Sequence, residues 1–135
     1  MTTMTTYLAD SSAWIDYLRR TDSPLRPHVQ DNTAGHTEPV AMELLSGTTS
    51  GDAAREVERL LKRSPFIAFN AAADFHTATE LRRRALRDGL RVGSIDCLIL
   101  AVASRHGATL ITRDRPQAEL ARSLGLRVEL LLQEN

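Results

Sequence analysis

The sequence predicts an α/β fold, a central parallel sheet with helices over both faces. Short β-like runs alternate with longer helical ones, the order that strand–helix–strand units leave in a sequence. The run Ala108–Thr112 reads as a buried strand, and parallel sheets of this kind are covered on both faces. The segment Ile95–Arg105 is apolar almost all round, as a buried helix is.

Thr6 to Ala9 is the expected first strand, ending at Asp10. Ser11 or Ser12 then caps a helix carrying Trp14, Ile15 and Leu18. Ser23-Pro24 reads as a second helix start, with proline at the first helical position. Asp31 to Gly35 reads as a turn or loop, and a short strand near Gly35 to Thr37 leads into a helix from Pro39 to Gly47. Asp52 opens an amphipathic helix with Val57, Leu60 and Leu61 as its apolar face, ended by Pro65. Phe66 to Phe69 is expected as a strand, and Asn70 as the cap of a helix running toward Gly89. Ser94 caps the apolar helix, which Gly107 ends before the buried strand. A helix from Pro116 to about Leu124 stops at Gly125, and Arg127 to Leu132 is the last strand.

The chain has 135 residues, which fits one domain, taken as 1–135. A hydrophobic share of 42% and a charged share of 25% suit a globular protein with a real core. The single cysteine, Cys97, cannot form an internal disulfide and reads as a small buried side chain. Met1 to Thr6 carries no secretory signal, and no apolar run approaches the roughly 20 residues that span a membrane. A cytoplasmic location is the expectation.

The formal net charge is +0, so charge alone gives no sign of a nucleic-acid partner. Lys62 is the only lysine, and the other basic residues are arginines, which suit phosphate recognition but are also favoured by GC-rich coding. Arg82, Arg83, Arg84, Arg87 and Arg91 form a local cluster that either guides RNA or is a solvated helix face. His28, His36, His76 and His106 have no spacing that suggests a metal site or a catalytic triad, and read as structural or surface residues.

The chemistry lies with the acids. In open parallel sheets, ligands bind at the carboxyl ends of the strands. Asp10 follows the first strand and Asp114 follows Ala108–Thr112. Asp96 lies in the first turn of the apolar helix, and Glu43 sits on the helix after the short second strand. A carboxylate among apolar neighbours is unfavourable without a partner. Two carboxylates about 5 Å apart repel by roughly 3 kcal/mol at an effective dielectric of about 20. If these acids converge, their pKa values rise unless a cation neutralises them. Hard oxygen ligands with no His or Cys favour magnesium or manganese over zinc. Each acid also has an ordinary reading: helix cap for Asp10, first-turn charge for Asp96, solvated acid for Glu43, turn residue for Asp114.

In this order the acids resemble the motifs of the PIN-domain family, specifically its VapC-type ribonuclease toxins. Leu8-Ala9-Asp10-Ser11-Ser12-Ala13-Trp14-Ile15-Asp16-Tyr17-Leu18 is similar to the first acidic motif. Met42-Glu43-Leu44-Leu45-Ser46-Gly47 is similar to the second, and Ser94-Ile95-Asp96-Cys97-Leu98-Ile99-Leu100-Ala101 to the third. Leu110-Ile111-Thr112-Arg113-Asp114 is similar to the fourth. The resemblance spans nearly the whole chain and implies a PIN-like α/β/α sandwich with a central parallel sheet. It implies metal binding and catalysis by Asp10, Glu43, Asp96 and Asp114, with Mg2+ or Mn2+ as cofactor and RNA as substrate. Thr112 matches a hydroxyl residue seen near such sites, and Ser11 is expected to hydrogen-bond there. One departure is Arg115-Pro116-Gln117-Ala118, where many relatives have an aromatic residue.

The resemblance also implies a VapB-type antitoxin partner and a homodimer that assembles with it into a hetero-oligomer. The expected antitoxin surface is the apolar and aromatic one near Trp14 and Tyr17, reaching toward the acids; the other reading of Trp14 is ordinary core. Other aspartate chemistries fit less well. A haloacid-dehalogenase-type phosphatase would want an aspartate at position 12, which is Ser12, and a receiver domain would want a lysine at a late strand end. The alternative is a PIN fold that binds RNA or protein without cutting, which would be expected to lack some of the acids.

Overall fold

A computed structural model describes residues 5–131. Four strands, β1 (Tyr7–Ala9), β2 (Ala34–Gly35), β3 (Thr109–Thr112) and β4 (Val128–Leu130), form one sheet in the order β2-β1-β3-β4. Every pairing is parallel. Seven helices are described: α1 (Ser11–Arg19), α2 (Arg26–Gln30), α3 (Glu38–Ser46), α4 (Gly51–Arg63), α5 (Ala71–Arg87), α6 (Ser94–His106) and α7 (Arg115–Ser123). None is long and apolar enough to cross a membrane. Leu132, the expected end of the last strand, lies outside the described residues, as do positions 1–4.

Leu8, Ala9 and all of β3 are buried, so the middle of the sheet is covered on both faces. The same core takes in Leu100 and Val102 of α6, Ala13 and Trp14 of α1, Val40 of α3, and Leu120 of α7. β1 pairs with β2 on one side and β3 on the other, so successive connections run outward in opposite directions from the β1–β3 seam. That seam is a topological switch point, where the carboxyl ends of a parallel sheet open a crevice.

Several local expectations are corrected. Asp10, not Ser11 or Ser12, caps α1: its carboxylate accepts the Ala13 amide at 3.0 Å. Ser50 rather than Asp52 caps α4, and Gly93 rather than Ser94 precedes α6. Ser23-Pro24 begins no helix. The Ser23 hydroxyl is drawn to Asp16 at 2.7 Å, and α2 begins at Arg26 with Pro27 in its first turn. Phe66–Phe69 is not a strand, because the short β2 edge offers it only the isolated bridge His36–Phe66.

The β2 edge is tightly built. A Cβ on Gly35 would collide with the Tyr7 carbonyl oxygen of β1 and lie 3.0 Å from Ile67 Cδ1. Gly35→Ala is expected to destabilise the protein by about 1–3 kcal/mol through this overpacking, read as a lower thermal midpoint. An unchanged midpoint would mean that the edge strand shifts freely.

Candidate functional site

The ladder fixes the centre of the site. Ala9 pairs with Ile111, and the Asp10 amide donates to the Ile111 carbonyl at 2.9 Å. Asp10 therefore leaves β1 directly beside Thr112, the last residue of β3. The Thr112 hydroxyl lies 2.8 Å from Asp10 Oδ2, and the Ser12 hydroxyl donates to Oδ1 at 2.7 Å. Asp114 caps α7, accepting the Gln117 amide at 3.2 Å, and its own amide donates to Thr112 Oγ1 at 3.0 Å.

Glu43 comes from α3, and Ser11 Oγ donates to its Oε1 at 2.5 Å. Asp96 comes from the first turn of α6, which Gly93 precedes. The structure thus brings all six residues expected from the sequence to one end of the β1–β3 seam.

Their charges interact. Burial pushes Asp10 up from 3.8 to about 6, against the pull of its hydrogen bonds to Ser12, Ala13 and Thr112, with Asp114 adding repulsion. Burial also pushes Asp96 up from 3.8 to about 6, and repulsion from Asp10, Asp114 and Glu43 adds to it. Among the described residues no three Asp, Glu, His or Cys side chains are drawn around one point as they stand. The four carboxylates are close enough to repel, and hydrogen bonds hold their oxygens. An all-oxygen, uncompensated acidic set suits a hard divalent cation of the magnesium or manganese kind.

Thr112 has a single hydroxyl proton but lies 2.8 Å from two acceptors, Asp10 Oδ2 and Gln117 Oε1. Gln117 Nε2 donates to the Asp96 carbonyl at 3.3 Å, which keeps Oε1 turned toward Thr112. When Asp10 is ionised, Thr112 donates to it and Gln117 Oε1 loses its donor.

Residues outside the expected set also belong to the site. Ser12 bonds Asp10 and accepts the Arg113 amide at 3.0 Å. Gln117, fully buried, links Thr112, Asp96 and Asp114. The Asp114-x-x-Gln117 spacing, that of a capping box, was the signal available for Gln117. The expected aromatic surface is corrected: Trp14 is 1% exposed and belongs to the core. Tyr17 packs edge-on to Trp14, and the Arg26 guanidinium lies 4.9 Å over its ring. In the α5 arginine cluster, Arg84 and Arg87 lie 3.9 and 3.8 Å from Asp88, and no described hydrogen bond or ion pair ties the cluster to the carboxylates.

Comparison with known proteins agrees with this architecture. The PIN domain family model matches residues 7–123. Ribonuclease VapC11 of Mycobacterium tuberculosis is 39% identical, over 89% of this chain and 95% of the relative. The VapC ribonuclease Mb1587 of Mycobacterium bovis is also 39% identical over the same shares. The chain belongs to the PIN-domain family, within its VapC group. Two solved structures share the fold. DNA-bound VapBC from Salmonella typhimurium matches with TM-score 0.75 and 21% identity, over 93% of this chain and 98% of that one. VapBC2 from Rickettsia felis, bound to a DNA fragment from its promoter, matches with TM-score 0.74 and 23% identity, over 96% and 100%.

Proposed function

We propose that this protein is a magnesium- or manganese-dependent endoribonuclease, the toxin of a VapBC-type toxin–antitoxin pair. The observation that carries the reading is the acidic cluster at the switch point, where Asp10, Glu43 and Asp114 all repel Asp96, and burial with this repulsion raises Asp10 and Asp96 to about 6. The names of its 39%-identical relatives support RNA as the substrate. The VapBC composition of its structural neighbours supports a VapB-type partner.

In this reading the four carboxylates hold the cation. Ser11 orients Glu43, while Ser12 and Thr112 orient Asp10. A bound divalent ion supplies Lewis acidity toward the phosphate and makes water easier to deprotonate. A carboxylate oxygen left free by the cation would be placed to orient or deprotonate an attacking water. The reaction is hydrolysis of a phosphodiester bond.

The antitoxin surface moves away from Trp14. Leu18 is 45% exposed and lines, with Ile15, Thr48 and Val57, a cavity of about 310 Å3 that also includes Glu43. A partner segment lying there would reach the acids directly. A homodimer completes the reading and is checked by light scattering of the purified toxin.

The deciding experiment incubates total RNA with purified, antitoxin-free protein in magnesium, in manganese and in chelator. Discrete fragments that need metal are expected. Binding of RNA without any metal-dependent cutting would replace this reading with a PIN fold that binds but does not cleave.

A further inference from the structure

The acidic cluster repels the backbone of the RNA it is proposed to cut, so a cation beside it would aid binding. Arg113 is placed for this. It lies between Thr112 and Asp114, and its amide is held by Ser12, which also bonds Asp10. Its side chain runs along the α1 face that carries Ser12 and Asp16, residues one helical turn apart. There Arg113 NH1 donates to Asp16 Oδ1 at 2.7 Å.

Asp16 is 2% exposed and takes the Ser23 hydroxyl on its other oxygen at 2.7 Å. Arg20 Nε is farther off, at 3.6 Å, and hydrogen-bonds Asp22 instead. Arg113 is therefore the closest cation on a buried carboxylate, and its side chain is 21% exposed.

An arginine serving only to neutralise a carboxylate tends to bind it with two nitrogens. Arg113 uses one. Its remaining side-chain N–H groups have no hydrogen-bond acceptor among the described residues, out of the five a guanidinium carries. The head is anchored in advance on Asp16, one helical turn along α1 from Ser12, with donors left over. A guanidinium fixed in this way loses little freedom when a phosphate arrives.

Resting on the ribonuclease reading, we propose that Arg113 contacts a backbone phosphate of the RNA strand beside the scissile one, and that buried Asp16 is the positioning residue that aims it. Arg113 recognises charge and phosphate geometry, not a base, so it acts on every substrate the enzyme accepts.

The test uses the RNA that the wild-type protein cuts, labelled, with kinetics measured across a salt series. Arg113→Ala is expected to raise KM about tenfold, with a smaller fall in kcat, as loss of a charged hydrogen bond to substrate does. It should also flatten the dependence of log KM on log salt by about 0.7, the share of one phosphate contact on a single strand. Arg113→Lys keeps the charge and should restore most of the salt slope. Asp16→Asn should raise KM with the slope retained, since the guanidinium remains but is no longer aimed. If Asp16→Asn does not fold, the two Arg113 variants decide the question alone. A wild-type salt slope in Arg113→Ala, or a fall confined to kcat, would overturn the proposal and leave Arg113 a brace for the Asp114 loop. Failure of the wild-type protein to cut any RNA overturns the ribonuclease reading itself, and this inference with it.

Discussion

Asp10→Asn is expected to lower metal-dependent RNA cleavage by about 10²–10³-fold, equivalent to about 3–4 kcal/mol of transition-state stabilisation. The same substitution should make the metal-free protein more stable at pH 7. The two effects share one cause. Asp10 is 1% exposed, and burial raises its pKa to about 6, so its charge is unfavourable in the fold at neutral pH. Asparagine keeps the shape and caps a helix as well as aspartate does, so the bond from the Ala13 amide survives. Removing the charge recovers on the order of 2–3 kcal/mol, from a shift of about two pKa units. Activity assays beside thermal melts in chelator check both halves. Cleavage within a few-fold of wild type would remove Asp10 from the centre. Lost activity accompanied by a lower melting point would make its role merely structural.

Manganese is expected to raise the melting temperature strongly at pH 7.5 and only weakly at pH 5. Asp10 and Asp96 are both raised from 3.8 to about 6. Between those values the folded chain holds more protons than the unfolded one. Without metal, their contribution to stability is greatest below about pH 4, falls as pH rises through about 6, and is flat above.

A divalent ion needs these groups ionised, so its apparent affinity climbs through the same interval. Saturation at about 100 times the dissociation constant adds about 2.7 kcal/mol. His36 works in the opposite direction: burial lowers its pKa, so it adds stability as pH rises toward its ordinary 6.5. Burial would raise Asp74, but its bonds to Arg105 hold it below 3.8, and its contribution is lost only in stronger acid. Subtracting the Asp10→Asn curve from that of wild type cancels both of these and leaves Asp10 together with the part of the Asp96 shift that the Asp10 charge causes. Equal manganese shifts at the two pH values would mean that the ion binds elsewhere.

The sheet and the four acids were legible because each was written locally. β1 and β3 are short runs, the first followed at once by Asp10 and the second ending on Thr112, two residues before Asp114. What was not legible depends on long-range partners. Nothing near Ser23 in the sequence says that Asp16 will take its hydroxyl, so the turn there resembled a helix start. Phe66–Phe69 has strand composition, but strand formation needs a neighbour, and β2 is only two residues long. Trp14 lies on the same apolar stripe whether it faces core or partner, and only the packing separates the two. Ser12 and Arg113 bond across the chain, to each other's segment and to Asp16, which no local pattern records, whereas Gln117 left the spacing from Asp114 as a local sign.

The β1–β3 ladder also bears on how this protein is made. Leu8 pairs with Leu110 and Ala9 with Ile111, and no strand between them in sequence separates the two in the sheet. Asp10 gains Thr112, and Asp96 gains Asp114 as a neighbour, only when residues 109–117 have left the ribosome. Such long loop closure comes late in folding. A growing chain therefore carries three scattered acids and no assembled centre. On the ribonuclease reading proposed above, a nascent chain would have no cutting centre while it is still attached to the ribosome.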